Sequence, residues 1–88
     1  MAENIKVKII TPKHVVFDGL ATAVTIPAEM GEMQVLKGHI SVVSRLKLGK
    51  VIVFKDSSTP EEFEVEDGLF RVTSKQVSIL ADRILNNQ

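Results

Sequence analysis

The sequence predicts an all-β domain, a flattened antiparallel β-sandwich or barrel of about ten short strands. Apolar and polar residues alternate with period two along most of the 88 residues. Turn-forming residues interrupt that alternation at short intervals, and no segment is long enough to serve as the crossover helix of a βαβ unit.

Ile5, Val7 and Ile9 alternate with Lys6, Lys8 and Ile10 and end at Thr11-Pro12, a strand stopped by a residue that cannot donate to a ladder. Val15-Val16-Phe17 runs into Asp18-Gly19, which is turn chemistry, and Leu20 to Ile26 resumes before Pro27; these two segments read as a hairpin. Ile40 to Leu48 is a further strand, and Leu48-Gly49-Lys50 offers a tight reversal into Val51-Ile52-Val53-Phe54, a second hairpin. After the polar turn Asp56 to Pro60, Glu61 to Val65 alternates cleanly, with its acids expected to face water. Asp67-Gly68 reads as another turn, Leu69 to Val72 as a strand, Ser74-Lys75 as a connection and Gln76 to Leu80 as the last strand. Ala81 to Gln88 is the one stretch that could be helical, and it is short enough to be expected as a frayed tail.

Composition narrows the function. A chain of this length makes one domain and buries only about 60 to 65% of the surface its unfolded state exposes, so its core is thin. With 44% hydrophobic residues and no Trp or Tyr, that core is mainly aliphatic and leaves apolar surface for a partner. Eleven basic and eleven acidic residues, scattered and summing to zero, give no field for nucleic acid. The absence of cysteine excludes disulfides, thiolate catalysis and the commoner zinc sites. Neither a secretory signal nor a run of membrane-spanning length is present, and the chain is expected to be soluble by itself.

Candidate chemistry is sparse. His14 and His39 stand far apart with no acidic cluster at ligand spacing, and no nucleophile elbow or phosphate-binding glycine pattern occurs. Glu29 with Glu32, or Glu61 with Glu62, could share a proton, but such pairs on loops and strand faces are usually just solvated. No catalytic residue, metal or cofactor is expected. The segment Gly31-Glu32-Met33-Gln34-Val35-Leu36-Lys37-Gly38-His39 is the unusual one, since it strings apolar side chains between two glycines. Either Met33, Val35 and Leu36 fold inward to cap the sandwich, or they touch a partner; spacing alone leaves both open.

Phe17-Asp18-Gly19, Gly31-Glu32-Met33, Lys37-Gly38-His39 and Val77-Ser78-Ile79-Leu80-Ala81-Asp82, in that order and at that spacing, resemble the amino-terminal β-domain of the epsilon subunit of F-type ATP synthase. The resemblance spans about Ile5 to Arg83 and divides the chain into an epsilon-type sandwich, 1–83, and a short tail, 84–88. In the family the central stretch usually reads G-E-x-G, two residues, P-G-H, then x-P. Gly31, Glu32, Gly38 and His39 match, whereas Gln34, Lys37 and Ser41 depart, and Glu66-Asp67-Gly68 stands where a glycine pair is usual.

The resemblance implies a non-catalytic rotor subunit. It would couple rotation of the membrane c ring to the gamma shaft for proton-driven ATP synthesis, at the cytoplasmic face of the bacterial inner membrane, touching the membrane only through the complex. It also implies that Glu29, Met30, Gly31, Glu32 and Met33 face the c ring, and that Thr11, His39 and Ser44 lie toward gamma. Epsilon subunits typically continue with an antiparallel pair of helices that can inhibit ATP hydrolysis; if Gln88 is the natural terminus, coupling would be kept and that inhibition lost. Two other readings remain. One is a generic adaptor sandwich, and the other a biotinyl or lipoyl carrier, which would need a lysine that Met30-Gly31-Glu32-Met33 lacks.

Overall fold

A computed structural model describes residues 4–38, 41–56 and 59–85. Among them eight strands form, namely β1 (Ile5–Ile10), β2 (Val15–Ala21), β3 (Ala23–Ala28), β4 (Gly31–Val35), β5 (Val42–Arg45), β6 (Gly49–Phe54), β7 (Glu61–Val72) and β8 (Gln76–Ile84). They hydrogen-bond in the order β2-β1-β8-β7-β6-β3-β4, with β5 added to β7. The all-β sandwich expected from period two is present, with eight described strands instead of about ten. It departs from the antiparallel expectation at one place: β1 and β8 run parallel, Val7 opposite Val77 and Ile9 opposite Ile79.

The sheet folds into two layers because β7 bends. Residues 61–65 pair with β6, and Leu69 to Val72 pair with β5. Between them Asp67 and Gly68 both take positive φ, 57° and 132°. The register to β8 is unchanged across the bend, with Glu66 opposite Arg83 and Gly68 opposite Ala81. The buried phase nevertheless switches, from Phe63 and Val65 to Phe70 and Val72. Two consecutive residues outside β geometry break the period-two alternation, so the opposite set of side chains points inward beyond the bend. A Cβ at Gly68 would stand 2.1 Å from the Leu80 carbonyl oxygen, so only glycine lets the two backbones approach so closely.

The core lies between the layers. Ile5, Val7, Ile9, Val77, Ile79, Phe70 and Val72 from one layer meet Val24, Ile26, Val35, Val51, Val53, Phe63 and Val65 from the other. No polar or charged residue is buried among the described ones. Phe17 tilts against Phe63 at 5.9 Å between centroids, and Lys55, ion-paired with Glu61, covers the Phe17 ring. Those contacts seal one end of the aliphatic core with the few aromatics available.

Several local expectations are corrected by pairing across the chain. Asp18-Gly19 is not a turn: it lies inside β2, opposite Lys8 and Val7, because the hairpin partner of β2 is β1, not β3. Leu48-Gly49-Lys50 does not reverse the chain into a β5–β6 hairpin. β5 pairs with β7, and Gly49 opens β6 where a Cβ would lie 2.7 Å from that of Pro27. Asp67-Gly68 bends β7 without ending it. The segment after Leu80 is neither helix nor frayed tail through Ile84, since Arg83 and Ile84 still pair with Glu66 and Val65; residues 86–88 are outside the described residues. Both layers place their turns and outer faces where a partner can reach them.

Candidate interaction surfaces

Two surfaces stand out, and the first is the tip of the β3–β4 hairpin. Ile26 faces Met33, Pro27 faces Glu32 and Ala28 faces Gly31, so most of the stretch expected as a loop is a strand. Only Glu29 and Met30 form the turn. Gly31 has φ 138° with nothing within 4 Å of an added Cβ, so glycine serves the backbone conformation there and not close packing. Val35 is fully buried and Met33 packs partly against the core, whereas Leu36 is exposed. The inward and outward alternatives are thus both realised within one segment, by strand alternation. Met30 is 95% exposed and flanked by exposed Glu29 and, one residue further, Glu32.

The Glu29 amide donates to the Arg45 carbonyl, 3.0 Å away, which ties the tip to the end of β5. Met30, Gly31, Glu32, Met33, Val42 and Ser44 line one shallow hollow. Ser44, expected on a different surface with Thr11 and His39, therefore sits beside the tip. Thr11 is elsewhere, in the β1–β2 turn. Its hydroxyl accepts from the amides of Lys13, at 3.2 Å, and His14, at 3.3 Å, and it lines a cleft with Asp82 and Arg83. His39 lies outside the described residues.

The second surface was not anticipated. On the outer face of the β7-β8-β1 layer, Leu69 is opposite Leu80, and Leu80 is opposite Ile10, forming a transverse apolar row. Val15 on β2, opposite Ile10, extends it at one end, and exposed Arg45 on β5, opposite Leu69, closes the other; Leu69, Leu80 and Val15 are 48, 43 and 52% exposed, and Val43, 66% exposed, lies opposite Arg71 in the adjoining row. The next row, toward the Thr73–Gln76 turn, is cationic and polar: Arg71 opposite Ser78, and Ser78 opposite Lys8. Ile10, Val43, Leu69, Leu80, Arg71 and Lys8 share one hollow. The sequence did carry the signal. Ile9-Ile10, Val42-Val43, Leu69-Phe70 and Ile79-Leu80 are apolar doublets inside alternating strands, and strict alternation forces one member of each onto the solvent side.

No group of three His, Asp or Glu among the described residues could hold a metal ion. Glu61 and Glu62, weighed above as a proton-sharing pair, instead pair separately with Lys55 and Lys50. The tip offers no amine for a carried cofactor. The two surfaces are thus a protruding hairpin and an apolar row bordered by Arg71, Lys8 and Asp18. No helix among the described residues is long and apolar enough to cross a membrane.

Comparison with known proteins agrees with this picture. Residues 4–87 match the family described as the ATP synthase delta/epsilon chain, β-sandwich domain. The ATP synthase epsilon chain of Rickettsia bellii is 35% identical over 88 residues, 98% of this chain and 82% of the relative. That of Campylobacter lari is 40% identical over 81 residues, which are 92% of this chain and 62% of the relative. Among solved structures, a chain of the Euglena gracilis mitochondrial ATP synthase OSCP/F1/c-ring assembly superposes with a TM-score of 0.86 over 93% of this chain and 52% of its own length; at 23% identity it speaks to the fold. Strand order, core and sequence all converge: the chain belongs to the ATP synthase delta/epsilon family, among the epsilon chains, and residues 4–87 are its β-sandwich domain.

Proposed function

We propose that this chain is a non-catalytic rotor subunit of the central stalk. It joins the gamma shaft to the membrane c ring, so that proton-driven rotation of the ring reaches the nucleotide sites of other subunits. It works as a peripheral protein on the cytoplasmic face of the bacterial inner membrane and meets the membrane only through the complex. The observation that carries this reading is the presence of two separate adhesive surfaces on one close-packed body. A coupling piece must hold two partners and not deform between them, and cross-strand pairing around a dry core supplies that stiffness.

The hairpin tip is the surface for the c ring. Glu29 and Glu32 offer charge-assisted contacts, and Met30 and Met33 offer adaptable apolar ones, with Gly31 setting the turn. The outer face is the surface for gamma, with Thr11 at one end of the apolar row, next to Ile10; Ser44, opposite the buried Phe70, points to the other side of β5 and belongs to the hollow beside the tip.

The test is co-purification with the gamma subunit from the same cell, followed by addition of c ring. The wild-type chain is expected to form an equimolar complex with gamma and to carry it to the ring. Met30→Glu, at a side chain free of packing, is expected to keep gamma binding and lose ring binding at least tenfold. A chain that binds neither partner rules out the rotor reading.

A further inference from the structure

The chain holds three methionines and no cysteine, so thioethers are its only sulfur groups. Two of them sit at the β3–β4 hairpin in opposite surroundings. Met33 lies within β4, opposite Ile26, and packs partly against the core. Met30 stands in the two-residue turn closed by the Ala28–Gly31 pair; it is 95% exposed and takes no part in the core cluster. A reagent in solution reaches the Met30 Sδ with the ladder intact, whereas the sandwich covers part of Met33 until β4 opens.

The surroundings of Met30 set what oxidation there does. A sulfoxide replaces a flexible apolar group by a polar, chiral one whose oxygen accepts hydrogen bonds. The exposed side chains on either side, Glu29 and Glu32, are carboxylates, which accept and do not donate. The Glu29 amide is already given to the Arg45 carbonyl. The new oxygen therefore gains no donor from the side chains beside it, keeps its water, and resists burial against an apolar surface. Oxidation leaves the charge of the tip unchanged, so the apolar contact is what it removes.

We propose that Met30 is a redox-modification site: a peroxide converts its thioether to the sulfoxide in the unassembled chain, and the sulfoxide bars the hairpin tip from its partner. The Sδ lone pair attacks one oxygen of hydrogen peroxide and the O–O bond breaks. The sulfur keeps that oxygen and is oxidised by two electrons, and the other oxygen leaves as water. Because the chain has no thiol, reversal comes from outside. Two thiols of a methionine sulfoxide reductase system give a disulfide, water and the restored thioether, with one enzyme for each sulfoxide epimer. The site itself rests on exposure and packing; the block to docking rests on the reading of the tip as the surface for the ring. A ring seated on the tip covers Met30, so the modification acts on chains before they assemble.

The test treats the folded 88-residue chain with dilute hydrogen peroxide, quenches it at intervals, and follows oxygen uptake at each methionine by peptide mass spectrometry. Binding to purified ring and to gamma is measured on the same samples, and an unchanged amide spectrum at Val7, Val77 and Ile79 controls for folding. Met30 is expected to react on the order of tenfold faster than Met33, with the two rates converging in urea. The oxidised chain is expected to bind the ring on the order of tenfold more weakly, to recover after both reductases with dithiothreitol, and to bind gamma as before. Met30→Leu, whatever its own affinity for the ring, is expected to show the same value before and after peroxide. Equal rates at Met30 and Met33 in the folded chain overturn the site. Selective oxidation that leaves ring binding intact, or a loss of ring binding that persists in Met30→Leu, overturns the block to docking. If Met30 reacts selectively but the untreated chain binds no ring, the modification site stands and the rotor reading falls. Oxidation of Met30 as fast in the complex with gamma and ring as in the free chain contradicts the place of the ring on the tip and leaves the site standing.

Discussion

Single residues in this domain matter through the backbone states they allow. Gly68 combines φ 132° with a neighbouring carbonyl 2.1 Å from any added Cβ. Gly68→Ala therefore adds a clash to a strained dihedral and is expected to cost about 2 to 4 kcal/mol in urea unfolding, above the ~1 kcal/mol of an ordinary glycine change. Thr11 and Thr73 act alike in two different turns. Each accepts from the two amides that follow at i+2 and i+3, and the turns read Thr-Pro-Lys-His and Thr-Ser-Lys-Gln. Replacing either by Ala leaves those exposed amides to water and is expected to cost about 0.5 to 1.5 kcal/mol, read by the same unfolding curves. A Gly68→Ala chain as stable as the wild type would mean that the β7 bend is not held by close approach to β8.

At the scale of elements, alternation found the strands and failed to pair them. β1, the start of β7 and most of β8 were legible because each keeps one apolar phase against the core. Asp18-Gly19 misled because a dipeptide states what the chain can do locally, whereas β2 is fixed by its ladder to β1. Gly19 has no positive φ, and a Cβ there would meet only the Phe17 ring at an ordinary 3.4 Å. Gly19→Ala is accordingly expected to change stability by less than about 1 kcal/mol, the opposite of what a glycine-dependent turn would give. The bend in β7 left a trace that period two alone could show: the apolar phase shifts between Phe63-x-Val65 and Phe70-x-Val72. The parallel pairing of β1 with β8 left none, because its partners are the first and last strands and no local signal links them. For the candidate sites, the hairpin tip was legible through its glycine and methionines. The outer row was hidden in apolar doublets that read, one strand at a time, as ordinary core.

As a whole molecule, the domain joins its first strand to its last and wraps one aliphatic core between two layers, 34 × 25 × 20 Å in extent. Such non-local pairing predicts folding in milliseconds to seconds, with a single transition, because distant strands must meet before any core forms. It also separates the two surfaces physically: the tip projects from the β3–β4 hairpin in one layer, and the apolar row lies on the outside of the other. Two partners can therefore be held at once, and their binding can be lost one at a time. The most direct test is the affinity of purified gamma for three versions of the chain, measured by titration calorimetry: wild type, Leu80→Glu and Met30→Glu. Gamma is expected to bind wild type and Met30→Glu alike and Leu80→Glu at least tenfold more weakly. Equal loss in both variants, or loss in Met30→Glu alone, would contradict the assignment of the outer face to the shaft and the tip to the ring.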